Sequence, residues 1–81
     1  MSILKASILF SKASNVYSQL RSINTKEGKG KYKKLLDTLD ILYGSDNTKE
    51  NRDRLQDFID EYGEDIYKKY LKISNDQFWL E

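Results

Sequence analysis

Ala6, Leu9, Ala13, Val16, Leu20 and Ile23 follow one another at intervals of three, four, three, four and three residues. On a helix of about 3.6 residues per turn these positions stack on one face, and the three-four alternation is the seam along which helices pack side by side. An extended strand would scatter the same set over both faces. The N-terminal stretch is therefore read as one long helix from Ser2 to about Ile23, with an apolar stripe that needs cover. Ile3, Phe10 and Tyr17 widen that stripe. The seam covers fewer than three heptads, too few for an extended coiled coil, so the expected cover is further helices of the same chain.

The rest of the chain supplies them. Asn24 to Gly30 reads as a loop, because Gly28 and Gly30 disfavour helix and Asn-Thr favours a turn. Tyr32, Leu35, Leu36, Leu39, Leu42 and Tyr43 form one helical face, which Gly44 is expected to end as a left-handed cap. Ser45, Asp46, Asn47 and Thr48 are candidate N-caps for a third helix starting near Thr48. Its apolar face is Leu55, Phe58, Ile59 and Tyr62, and Ile66, Tyr70 and Ile73 continue it beyond Gly63 without a phase break. A mid-helix glycine costs ~1 kcal/mol, and Glu64 with Asp65 suits a new helix start, so a break at Gly63 is expected. Ser74 or Asn75 would then cap a last turn carrying Phe78, Trp79 and Leu80. The fold class is all-α, a compact bundle of three to four helices in one domain over residues 1–81.

The size of the chain limits how that bundle is held. A chain of 81 residues buries only about 60–65% of its unfolded surface. Cysteine and histidine are both absent, so neither a disulfide nor a zinc site of the usual kind can staple it. Stability has to come from helix packing, with or without a partner or second copy. The lack of cysteine fits a reducing compartment, and a cytoplasmic protein is expected. No apolar run approaches the roughly 20 residues of a membrane span, so no membrane association is expected. The N-terminal stretch is serine-rich and free of acid as far as Lys26, as a transit peptide would be, but it is also the longest helix and is read as structure.

The same absences narrow the chemistry. Nucleophilic triads and most acid–base schemes use His or an activated Cys. The run Lys26-Glu27-Gly28-Lys29-Gly30-Lys31 lacks the spacing and the Ser or Thr of a phosphate-binding P-loop. A calcium loop starting at Asp46 would place Asn51 where glycine is obligatory. A non-enzyme without metal or cofactor is expected.

Charge is unevenly spread. Residues 1–36 carry eight basic groups and one acid, a net +7, whereas residues 37–81 carry six basic groups and twelve acids, a net −6. One reading is self-complementarity, within the domain or across a homodimer; the other is two functional poles. The basic pole, Lys26, Lys29, Lys31, Lys33 and Lys34, is a candidate phosphate or nucleic-acid site, with Tyr32 beside it. The acidic pole is periodic: Asp53, Asp57, Asp60 and Glu64 fall on one helix face opposite the apolar stripe, flanked by Glu61 and Asp65, with no lysine in the row. Such a row suits a basic protein partner, in the manner of a phosphate mimic.

Two further features point to contact surfaces. Ser7, Ser11, Ser14, Ser18 and Ser22 line the first helix opposite its seam, bordered by Leu4 and Ile8, and a ridge of small uncharged groups admits a second backbone closely. It is a candidate self-association face. Tyr67 and Trp79 are candidate exposed anchors, since aromatic residues dominate binding hot spots, whereas Tyr62 and Tyr70 are assigned to the core. The expected function is a small protein-binding module: an inhibitor, regulator or accessory subunit that occupies a partner's surface. A composition rich in Lys, Asn, Ile and Tyr and free of proline suits an AT-rich genome, that of a low-GC bacterium, its phage or a similar element, and one expected context is a phage or mobile-element protein acting on a host or defence protein. The alternatives are a nucleic-acid-associated protein using residues 26–34 and an immunity-type protein.

Overall fold

The computed structural model describes the backbone of residues 2–27 and 29–79 and the side chains of residues 8–27 and 29–75. It contains three helices, α1 (Ser2–Glu27), α2 (Lys31–Tyr43) and α3 (Lys49–Trp79), and no strand among the described residues. The helices run up, down and up. Tyr17, midway along α1, meets Asp40 and Tyr43 near the end of α2. Val16 lies level with Gly63, and Glu27 with Lys69, so α3 runs parallel to α1.

The seam read from the sequence is the centre of the core. Leu9, Ala13, Val16, Leu20 and Ile23 are all buried and make up five of the ten buried residues among those described, so α1 is the hub. Leu35 and Leu39 come from α2, and Leu55, Phe58 and Ile66 from α3. Tyr62 and Tyr70 pack against this cluster, as their spacing implies, together with Phe10, Tyr17, Tyr32 and Ile59. Full burial of a Leu, Ile or Phe is worth about 1.5–3 kcal/mol each. Contact between α2 and α3 is the slightest of the three pairings, because each packs mainly on α1.

Several boundaries differ from expectation. α1 continues past Ile23 to Glu27. Thr25, a weak helix former, is accommodated there because its hydroxyl donates to the Arg21 carbonyl at 2.9 Å. The chain reverses at Gly30, whose φ of 80° a side chain would strain. Gly44 is not a left-handed cap: its φ is −88° and ψ −1°, its N–H donates to the Asp40 carbonyl at 3.1 Å, and the Ser45 N–H donates to the Leu42 carbonyl at 3.3 Å. The Thr48 hydroxyl accepts the Asn51 N–H at 3.2 Å, which makes it the N-cap of α3.

Gly63 does not break the third helix, and the bundle has three helices, not four. α3 is continuous to Trp79, so Ser74 and Asn75 are helical rather than caps. The reason is a difference in magnitude. Glycine costs about 1 kcal/mol within a helix, whereas Ile66 beyond it is fully buried and Tyr70 and Ile73 pack on the same core as Leu55 and Phe58. The side chains of Ile3, Leu4, Ala6, Ser7, Phe78 and Trp79 lie outside the described residues, as does Leu80.

A Cβ at position 63 would stand 3.5 Å from Ile59 Cγ2 and 4.0 Å from Val16 Cγ2, ordinary contact distances. Gly63→Ala is therefore expected to stabilise the fold by about 1 kcal/mol and to raise its melting temperature by roughly 4–8 °C. Thermal and urea unfolding monitored by circular dichroism read this directly. An unchanged or lower midpoint would mean that α3 bends at this point.

Candidate functional site

The acidic row occupies the outer face of α3. Asp53, Asp57, Asp60 and Glu64 are all exposed, and at about 1.5 Å rise per residue they span about 16 Å. They lie opposite Leu55, Ile59, Tyr62 and Ile66, which turn inward. The row is flanked by cations of its own helix: Lys49 bonds Asp53 at 3.0 Å and Lys68 approaches Glu64 at 3.3 Å. The lysine-free character read from the sequence thus holds for the row's interior alone. There Asp60 accepts from the Gln56 amide at 2.8 Å. Glu61 and Asp65 are exposed but stand off the line.

The basic residues do not form one pliable loop. Lys26 belongs to the last turn of α1, and Lys31, Lys33 and Lys34 to the first turn of α2, with Lys29 between the helices. Lys33 is paired with Asp37 at 2.9 Å. α2 starts at Gly30 without a side-chain cap and without an acid in its first turn. Three lysines thus sit at the positive end of a helix dipole, where acids would normally contribute about 0.3–1 kcal/mol each. Tyr32 packs on the core, with the Lys31 and Lys69 ammonium groups 5.4 Å and 5.9 Å from its ring centre.

The two poles do not neutralise each other by contact inside the chain. Glu27 and Lys69 form a salt bridge between helices at 2.7 Å, and each is a minority charge in its own half. Lys33–Asp37, Lys49–Asp53, Glu50–Arg54 and Glu64–Lys68 are each one turn apart on a single helix. No salt bridge between described residues joins a cation of α1 or α2 to the acidic row.

Ser11, Ser14, Ser18 and Ser22 are exposed along α1 opposite its buried seam, and Ile8 beside them is 52% exposed. Tyr67 is 49% exposed, as an anchor would be. Among the described residues no group of acids could hold a metal ion, and no helix is long and apolar enough to cross a membrane. Sequence reasoning missed three features. One is Ile41, 73% exposed on α2, where it falls outside the apolar face of that helix. Another is an open groove between α2 and α3, lined by Gly30, Lys31, Lys34, Leu35 and Tyr62. The groove does not follow from periodicity along one helix, because it depends on how α2 and α3 stand to each other.

A third feature lies between α1 and α2. The Tyr17 hydroxyl donates to Asp40 Oδ1 at 2.5 Å, its ring stands 5.8 Å from that of Tyr43, and the Arg21 guanidinium lies 6.0 Å from the Tyr17 ring centre. Comparison of the chain with known protein families, with curated proteins and with solved structures finds no match.

The Tyr17 pKa is raised above its ordinary value, first by the hydrogen bond to Asp40, then by burial and by the Asp40 charge, with Arg21 opposing. Tyr62 is shifted the same way, first by the charge of Glu61 and then by hydrogen bonding to it. A raised phenol pKa means that folding favours the neutral form. This stabilisation is complete below the unfolded value near 10 and is lost as pH rises through the folded value. Melting temperature should therefore fall in alkali, and Tyr17→Phe, less stable at neutral pH, should lose part of that dependence. Parallel curves for the two proteins from about pH 8 to about pH 11 would contradict the clamp.

Proposed function

We propose that the chain is a non-enzymatic binding protein whose acidic α3 face occupies a basic surface on a partner protein. The observation that carries this reading is the row Asp53, Asp57, Asp60 and Glu64 on one rigid helix, whose inner members are reached by no cation of α1 or α2. A surface acid row of this length is costly to leave unmixed, because like charges one turn apart repel by a few tenths of a kcal/mol per pair. A basic groove that normally follows a phosphate backbone would relieve that repulsion. It would be steered to the row by charge, with a fast and salt-sensitive association. Partners of this kind are nucleic-acid-handling proteins, and an amino-acid composition rich in Lys, Asn, Ile and Tyr suits a phage or mobile element of an AT-rich host, directed at a host or defence protein. An immunity-type protein facing a basic toxin would use the same surface, as would an accessory subunit.

A second reading is favoured by the basic end. The uncapped start of α2, surrounded by Lys29, Lys31 and Lys34, suits phosphate groups of a nucleic acid, which would be held without sequence readout.

Capture from lysate separates the two when half the sample is treated with nuclease. The protein-partner reading expects a partner that survives nuclease and is displaced by added duplex DNA. Its capture should fall at least about tenfold with Asp57→Lys plus Asp60→Lys, at unchanged helicity. Retention that vanishes with nuclease, and weakens with Lys29→Ala plus Lys34→Ala but not with the aspartate changes, would replace this reading with the nucleic-acid one.

A further inference from the structure

The groove between α2 and α3 has a volume of about 520 Å³ and an apolar floor of Leu35 and Tyr62. Its α2 wall is basic: Lys31 and Lys34 rise from it, both exposed. On α3 the groove-lining Tyr62 is flanked along the helix by two exposed acids, Glu61 one residue before it and Asp65 three residues after it. Asp65 lies one turn beyond Glu61, on the ridge between Tyr62, which lines the groove, and Lys69, which reaches Tyr32 of α2. Yet no salt bridge between described residues spans the groove. Along the α2 wall, Thr38 and Ile41 follow Lys34 at intervals of four and three, so the most exposed large apolar side chain described continues the same surface.

We infer that this groove is a self-association surface whose occupant is a second copy of the chain. A two-fold axis running along the groove places α2 of each copy over α3 of the other at the same height. Lys31 and Lys34 of one copy then face Glu61 and Asp65 of the second, and the reverse pairs form by symmetry. Leu35 and Tyr62 lie at the centre, and Ile41 gains cover on the opposing α3. Charge complementarity selects this occupant. An acidic partner would satisfy the lysine wall and face repulsion from Glu61 and Asp65, and a basic partner would do the opposite, whereas a second copy satisfies both walls. The net charge of +1 sets little long-range repulsion between copies. The slight contact between α2 and α3 leaves this side of the core the least covered. The pairing leaves Asp53, Asp57, Asp60 and Glu64 facing outward on both copies. It thus stands independently of the function proposed above and would make that protein bivalent.

Sedimentation equilibrium with the whole chain tests it. At low salt the wild type should show twice the 9.5 kDa chain mass at high concentration, reverting to monomer as salt is raised. Lys31→Glu plus Lys34→Glu should be monomeric, and so should Glu61→Lys plus Asp65→Lys, because each places like charges opposite one another. Mixed together, the two variants should restore the dimer, since every contact in the mixed pair is again of opposite sign. A chain carrying all four changes should dimerise by itself, which controls for any variant that fails to fold. A wild type that remains monomeric at every concentration and salt, double variants that still dimerise, or a mixture that stays monomeric would each overturn the proposal.

Discussion

Burial of one face of α1 is the constraint on which the rest of this structure depends. Leu9, Ala13, Val16, Leu20 and Ile23 form an unbroken apolar line, and α2 and α3 both turn their apolar faces mainly toward it. Both therefore pack on α1 and touch each other only lightly. Everything distinctive about the surface follows. The serines point away from the line, the acidic row lies on the outer side of α3 with Glu64 at the edge of a groove it shares with Lys12 of α1, and the lysines gather where α1 hands over to α2. Because α2 is only 13 residues long against 31 for α3, it leaves a groove rather than a closed interface.

The charges take almost no part in holding the helices together. The salt bridges within helices join exposed groups one turn apart, and pairs of that kind contribute about 0.3–0.5 kcal/mol each. The Tyr17–Asp40 hydrogen bond and the Glu27–Lys69 salt bridge tie helices to each other, but neither joins the basic end to the acidic row. A chain with this much separated charge, unmatched by contacts inside it, has surfaces suited to partners of opposite sign. The protein-binding reading and the two-fold pairing of copies both draw on that one property, at different sites.

What could be read in advance was whatever repeats along a single helix. The α1 seam, the stripe of Leu55, Phe58, Ile59, Tyr62, Ile66, Tyr70 and Ile73, the N-cap Thr48, the serine face and the acidic row all follow from the helical period. So did the lysines that end the acidic row, since Lys49 and Lys68 stand four residues outside it. The failures share a different cause. Gly63 and the stretch from Asn24 to Lys26 were judged by local propensity, which is worth about 1 kcal/mol per residue or less, and tertiary burial outweighed it. Asn24 bears a trace of that conflict, for its Oδ1 is buried without a hydrogen-bond partner among the described residues. Gly30 lies between helices as expected, whereas Gly44 ends α2 without the left-handed backbone expected of it, since a glycine permits either conformation. The groove and the Tyr17–Asp40 hydrogen bond needed the spacing between helices, which no single-helix pattern encodes, whereas the exposure of Ile41 was legible from its place off the apolar face of α2.

An apolar seam holds this fold while its charges look outward. Urea unfolding as a function of sodium chloride, at a dilution where the chain is monomeric, distinguishes this from a fold held by its charges. Salt screens charges beyond about 10 Å at 0.1 M and beyond about 3 Å at 1 M. If the poles stabilised the fold by facing each other, the midpoint would drop as salt rises. The expected midpoint holds steady or rises, as repulsion within the acidic row and among the lysines is screened. A clear fall would show that the two poles attract each other within the folded chain.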